Sequence, residues 1–441
     1  MRTSGTIESH SWLWYFKAMN RKVKIESMAF KGNGVGHIDG KVIFVPYTVT
    51  GDEVSVEIAE DKKSYSVGGL KEILIPSPWR INPPCPYFGD CGGCQWQHID
   101  PSVHEALKKE ILKESLQRLA GLKEIPPLSA VPSPQPYGYR IRIQLKAEGN
   151  KIGFFGEKSH RVVEIDRCPI AHPMINAILQ HIRKERFPFS GMEGFEINVS
   201  PEEGKGILIF HLNLSGQRRK IPFKELLQSI PLLKGIAVVR KKRWTYLGDP
   251  TLNVTVTLIR HGWEKTFRLR VSPGSFCQVN LGLNQELIRA VLEFSELKEN
   301  KRVLDLYAGI GNFTLPLATE AKWVIGIDES KKAIADARFN AERNGVKNCQ
   351  FISGSVEEML NEFGEVLDLI VLDPPRAGCK KVVDQMVRLE PEKIVYVSCE
   401  PTTLSRDLRL FCERGYFLRK LCLIDMFPQT YHMEVVGLLT H

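Results

Sequence analysis

The chain has 441 residues, 43% hydrophobic and 25% charged, a composition that excludes extensive disorder and a length that predicts about two or three domains with their own cores. Sixty Lys plus Arg against 51 Asp plus Glu give a net charge of +9, which favours a polyanionic partner without naming one. No apolar run approaches the roughly 20 residues that span a bilayer and the N-terminus shows no signal-peptide pattern, so a cytoplasmic protein without membrane contact is expected.

Residues 1–19, with Trp12, Trp14, Tyr15 and Phe16, show no period and precede Met19; they read as an extension. From Val23 the segments KVKIESMAF, KVIFVPYTV and DEVSVEIAE, separated by turns such as GNGVG and TGDE, predict a small β-barrel over 20–79. Such barrels often present nucleic-acid surfaces, although the fold alone proves no binding. After the Pro-rich PSPWRINPPCP, Asp100 as cap, Pro101 at the first position and Gly121 beyond the end predict a helix over 101–121. Cys85, Cys91 and Cys94 form C-x5-C-x2-C, and Cys168 in DRCPIAHP supplies a further thiol. Four thiolates suit an iron–sulfur cluster or zinc; three close thiols plus one, rather than two close pairs, favour iron–sulfur.

Residues 137–270 alternate apolar and polar side chains, as in RIRIQLKAEG, FEINVS and GILIFHLNLS, predicting a β-rich central domain with intervening helices. It carries two basic clusters, Arg218-Arg219-Lys220 and Arg240-Lys241-Lys242-Arg243, the second running into Trp244 and Tyr246. Basic groups beside aromatics suit phosphate contact and base stacking; solvated hairpin ends are the plainer reading.

Beyond Val271 the pattern becomes buried strand, turn and helix. RVLDLY, WVIGID, CQFISG, LDLIVLD and KIVYVSC predict a doubly wound, Rossmann-like α/β sheet over 271–441. The first strand ends in Asp305-Leu306-Tyr307-Ala308-Gly309-Ile310-Gly311-Asn312. No third glycine completes a dinucleotide fingerprint, and Asp followed by G-x-G fits S-adenosylmethionine better than NAD. Asp328, closing the next strand, suits a ribose. Asp373-Pro374-Pro375-Arg376 and Ser398-Cys399-Glu400-Pro401 end the fourth and fifth strands, the edge where open α/β sheets bind ligands. A thiol there is placed for nucleophilic attack, the alternative being a structural cysteine. Uracil carbon 5 becomes nucleophilic once a thiolate adds to carbon 6, and its proton must later pass to a base. Glu434, in Asp425–Glu434, is the candidate; His432 is the other.

Together these segments resemble the RNA 5-methyluridine methyltransferase family, specifically its branch acting on 23S ribosomal RNA. The resemblance covers nearly the whole chain from about residue 20 and implies a multidomain α/β protein. An N-terminal OB-like TRAM barrel precedes a central α+β iron–sulfur and RNA-binding domain over 80–270, followed by a class I methyltransferase domain. It implies a four-iron four-sulfur cluster on Cys85, Cys91, Cys94 and Cys168. S-adenosylmethionine would be held at Gln278, Tyr307, Gly309, Gly311, Asn312, Asp328, Ser355 and Asp373, with Cys399 as nucleophile and Glu434 as base. Asp328 replaces a commoner Glu, and Ser355 stands where Asp or Asn often contacts adenine. The TRAM and cysteine signatures point to 23S ribosomal RNA, with transfer RNA as the alternative, and a monomer is expected. A non-catalytic RNA-binding protein with this fold would leave Cys399 and Glu434 unexplained.

Overall fold

A computed structural model of the chain describes residues 20–185, 187–189, 191–212, 221–260, 262–364 and 367–441; the extension over 1–19 and the Arg218-Arg219-Lys220 cluster lie outside them. The chain forms two compact units, one comprising the N-terminal part up to Gly89 with Cys94–Ile111 and Gln429–Tyr431, the other Asp90–Gly93, Leu112–Pro428 and His432–His441.

In the first unit, β1 (Arg21–Lys24), β2 (Ser27–Met28), β3 (Gly34–Ile38), β4 (Lys41–Val45), β5 (Glu53–Asp61) and β6 (Tyr65–Ile75) form one sheet ordered β1-β5-β6-β4-β3-β2. Register shifts along the long β5–β6 ladder bend it, as bulges do. It curls around Val23, Ile25, Ile43, Val45, Val54 and Val56. Asp52, fully buried, accepts from Val49 N and Ser77 N at 2.8 and 2.9 Å and pairs with Arg80. Burial pushes its carboxyl up, but Arg80 and these N–H donors hold it below the usual range. Helix α1 (His104–Ser115) follows a 3-10 turn over Pro101–Val103, in which Asp100 accepts from Ser102 N. One π turn over Leu116–Ala120 continues it, and Gly121 at φ 72° ends it.

In the second unit, a short β7 (Leu128–Val131) precedes β8 (Arg142–Glu148), β9 (Lys151–Phe155), β10 (Val162–Glu164), α2 (Pro173–Lys184), β11 (Met192–Ser200), β12 (Lys205–Leu212), α3 (Phe223–Ser229), β13 (Leu233–Arg240) and β14 (Arg243–Gly248). Strands β8–β14 make a sheet ordered β10-β9-β8-β11-β12-β13-β14. The apolar positions of α2, Ile175, Ile178, Leu179 and Ile182, recur at helical spacing and are all buried, the stripe an amphipathic helix presents to a sheet. A hairpin of β15 (Leu252–Arg260) and β16 (Trp263–Val271) leads into the C-terminal layer.

That layer contains α4 (Leu281–Ser295), β17 (Arg302–Leu306), α5 (Thr314–Leu317), β18 (Trp323–Asp328), α6 (Lys331–Arg343), β19 (Cys349–Ser353), α7 (Val356–Glu362), β20 (Leu369–Leu372), α8 (Val383–Arg388), β21 (Lys393–Ser398), α9 (Pro401–Cys412), β22 (Phe417–Ile424) and β23 (Glu434–Thr440). Its sheet is ordered β19-β18-β17-β20-β21-β23-β22-β7, parallel from β19 to β21, with β23 antiparallel to both β21 and β22. The continuous apolar runs of β20 and β21 are buried on both faces, which parallel strands covered by helices require. Strand order reverses between β17 and β20, so their carboxyl ends open a crevice. At the far edge β7 pairs in parallel with β22; Leu-Ser-Ala-Val is too short to announce a strand.

Candidate active site

The crevice is built from backbone outward. After β17 the chain turns through Tyr307 at φ 63°, Gly309 at 55° and Gly311 at 89°. A Cβ on Gly311 would press within 3.3 Å of Leu315 and Phe351, so glycine is required there for packing as well as conformation. Asp328, closing β18, accepts from Gly309 N at 2.9 Å and from Ser330 N at 2.8 Å; its carboxylate shapes the glycine turn and the start of α6. Gln278, Tyr307, Gly309, Asn312 and Asp373 line one pocket, together with Phe276, Cys277 and Phe313. Gly311, Asp328 and Ser355 are not in its lining, although Gly354 N binds Asp328 O, keeping Ser355 at the same sheet edge. The Asn312 amide is engaged in a reciprocal pair with Asn284 at 2.9 and 3.0 Å. Phe276 and Cys277 abut Gln278 in sequence, the one signal that would have added them; Phe313 and Asn284 carried none.

Asp305 is fully buried. Thr314 Oγ1 donates to its Oδ2 at 2.5 Å, while Oδ1 has no hydrogen-bond partner among the described residues. Burial, with Asp373 and Asp328 nearby, pushes this carboxyl from 3.8 to about 7. An orphaned carboxylate oxygen behind a glycine turn fits a ligand bringing positive charge and N–H donors, and S-adenosylmethionine has both.

Around Asp373 stand the groups for chemistry. Ser398 of β21 pairs with Val435 of β23, so one residue further Cys399 and Glu434 occupy the same step. Burial first, then Glu434 and Asp373, push the Cys399 thiol to about 12, opposed by Arg376, whose side chain hydrogen-bonds it. Glu434 is 4% exposed rather than solvent-facing, and its Oε2 has no hydrogen-bond partner among the described residues. Burial and Asp373 raise its proton affinity well above the ordinary carboxylate value. Asp373 is itself pushed by burial to about 7. His432 Nε2 lies 3.4 Å from Arg376 Nη2, joining the second base candidate to the same group.

The family described as tRNA (Uracil-5-)-methyltransferase matches residues 106–441, and the TRAM domain matches residues 20–71. The chain belongs to the tRNA (uracil-5-)-methyltransferase family. It is similar to an uncharacterized RNA methyltransferase of Aquifex aeolicus, 36% identical over 95% of this chain and 98% of the relative. It is likewise similar to the 23S rRNA (uracil(1939)-C(5))-methyltransferase RlmD of Pectobacterium atrosepticum, 33% identical over 96% and 94%. Among solved structures, the Pyrococcus abyssi tRNA (uracil-54, C5)-methyltransferase in complex with S-adenosyl-L-homocysteine superposes with TM-score 0.74 at 28% identity, covering 95% of this chain and 99% of that one. The protein is thus an S-adenosylmethionine-dependent RNA uracil-5-methyltransferase with an N-terminal TRAM domain.

In this methyltransferase Cys85 and Cys94 belong to the first unit, Cys91 and Cys168 to the second. Cys91 bridges to Gly156, and Cys168 N is held by Asn176 Oδ1 at 2.8 Å. Among the described residues no group of three or more His, Cys, Asp or Glu side chains is placed to hold a metal ion, so the four-cysteine expectation remains a reading of the spacing. No described helix is long and apolar enough to cross a membrane. One face of Trp244 is covered: Lys332 Nζ sits 3.6 Å from its ring centroid, and the far end of the ring lies against Gly274. Tyr246 is 47% exposed.

Proposed function

We propose that this methyltransferase modifies carbon 5 of one uridine in 23S ribosomal RNA, with Cys399 as nucleophile and Glu434 as base. The observation behind this reading is the convergence of Cys399, Arg376, Asp373 and Glu434 beside the pocket that Asp373 shares with Gln278 and Tyr307. S-adenosylmethionine supplies an electrophilic methyl group. The resting thiol gives its proton to a neighbouring carboxylate, Asp373 being half ionised near neutrality at a pKa of about 7, while Arg376 stabilises the thiolate. Sγ adds to carbon 6, the ring electrons move onto the carbon 4 oxygen, and carbon 5 takes the methyl group. Glu434 then removes the carbon 5 proton, the double bond re-forms and the thiolate leaves. Gln278, Tyr307, Gly309, Asn312 and Asp373 would hold the cofactor in the pocket, with Asp328, Gly311 and Ser355 shaping its sheet edge.

RNA carrying 5-fluorouridine at the target should form a denaturation-resistant adduct with the wild type, because fluorine cannot leave as a proton does. Cys399→Ala should bind RNA yet form none; an equally abundant adduct in that variant would remove the nucleophile assignment. Ribosomal RNA is favoured by the TRAM domain and by the relatives at 33% identity. Transfer RNA is the second reading, supported by the Pyrococcus structure. Mapping 5-methyluridine in both RNAs from a deletion strain, with restoration by this gene, separates them.

An iron–sulfur cluster is part of this proposal on thiol spacing and chemistry, its four-iron four-sulfur form on Cys85, Cys91, Cys94 and Cys168 being what the family resemblance implies, and no step above passes through it. Anaerobically purified protein should be brown and contain iron and acid-labile sulfide. Stoichiometric zinc in a colourless active protein would overturn the cluster.

A further inference from the structure

Helix α6 binds β16 as though it were a neighbouring strand. Asp336, Asn340 and Asn344, the last being the residue that caps the helix C-terminus, recur every four residues and so line one side of it. Asn344 Oδ1 accepts from Arg268 N and its Nδ2 donates to Arg268 O, both at 2.9 Å. Asn340 Oδ1 accepts from Arg270 N at 2.7 Å, and its Nδ2 donates to Arg270 O at 3.2 Å. Asp336 takes the next step, accepting from Ser272 N at 2.9 Å. The match is metric: four helical residues rise about 6 Å and two strand residues about 6.6 Å, so each successive side chain meets the next outward-facing peptide.

At Asp336 the pattern changes character. The strand has ended, and the side chain, 1% exposed, also accepts from Ser272 Oγ, Ser275 Oγ and Arg270 Nε, each at 2.8 Å. Four donors converge on it, which asks for a group with acceptors alone. One residue after Ser275 the chain reaches Phe276–Gln278, one wall of the cofactor pocket. On the same helix Asn340 Nδ2 donates to Ile310 O at 3.1 Å, and Ile310 also lines that pocket. We infer that Asp336 is a positioning residue for the cofactor pocket. Acting through Ser272 and Ser275, it sets the 276–278 wall against the glycine turn that Asn340 holds.

Isothermal calorimetry with S-adenosylmethionine on the full chain tests this, alongside Tm and steady-state kinetics. Asp336→Asn keeps an acceptor but loses others and the charge facing Arg270. Its affinity should fall by about tenfold or more, equivalent to roughly 1.4 kcal/mol, and KM for the cofactor should rise while kcat at saturation stays within about twofold. Asn344→Ala also frees β16 backbone groups, but far from the wall, and should lower Tm while leaving cofactor affinity unchanged. Should Asp336→Asn not fold, Ser275→Ala, which removes a single donor, should weaken binding in the same direction. Wild-type affinity in both Asp336→Asn and Ser275→Ala, or an equal affinity loss in Asn344→Ala, overturns the assignment.

Discussion

Cys399 and Glu434 reach the same step of two antiparallel strands from positions 35 residues apart in sequence, and burial first, then Glu434, raises the thiol's hold on its proton. A thiol held near 12 gains about tenfold in thiolate for each pH unit below that value, and Asp373, near 7, accepts a proton only when ionised. Adduct formation with 5-fluorouridine RNA should therefore accelerate from about pH 6 to about pH 8; a rate that is flat or falling over that interval would contradict the proton route. Glu434→Gln retains shape but cannot take the carbon 5 proton. Turnover should drop by a factor on the order of 10²–10⁴, with methylated RNA trapped on Cys399 and surviving denaturing electrophoresis. Free, unmethylated RNA would place the defect before methyl transfer, and normal turnover would move the base to His432. Asp305 makes a different prediction. Its folded-state value, about 7 against 3.8, means that the native state binds the extra proton. The stability it contributes is present below about pH 4 and lost as pH rises through about 7. Asp305→Asn still accepts from Thr314, so its Tm should depend less on pH over that window than the wild type's.

Among the elements, the five parallel strands were legible because a strand covered on both faces must be a continuous apolar run, and each ended in the residues that carry chemistry. The helix over 101–121 was legible through its ends, Asp100 and Gly121, although its last part winds as a π turn. The α6 face was not: Asp336, Asn340 and Asn344 read as ordinary polar helix positions until β16, about seventy residues earlier, lies against them. The turn after Asp373 was equally hidden. Gly378 lies at φ 77°, and a Cβ there would stand closer to the Asp407 carboxylate than real Cβ atoms come. That carboxylate is fully buried and accepts from Cys379 N at 2.7 Å and Tyr396 Oη at 2.8 Å. Gly378→Ala should cost about 2 kcal/mol or more of stability and displace the neighbouring Arg376, so a thermal melt would show a lower Tm and the fluorouridine adduct would form more slowly. An unchanged Tm would show that the turn relaxes.

Across the whole molecule the +9 charge meets the substrate's polyanionic character. Lys241 and Lys242 close the β13–β14 hairpin at φ 49° and 65°, left-handed values that Asn and Gly adopt more easily than Lys. Replacing Lys241-Lys242 by Asn-Gly should thus raise stability by about 1 kcal/mol or more while weakening RNA binding and lowering its salt slope by about two. Unchanged RNA affinity would mark the turn as solvated only. The sequence by itself determined the sheet type, the order of the motifs along it and the chemical kind of each candidate side chain, because burial period, turn residues and thiol or carboxylate identity are local properties. Only the tertiary structure decided that Glu434 is buried beside Cys399, that Asn312 spends its amide on Asn284, that Lys332 covers Trp244, and that Asp336 gathers the pocket wall. Proton affinity and hydrogen-bond partnership depend on what packs within a few ångströms, and those neighbours come from segments far apart in the chain.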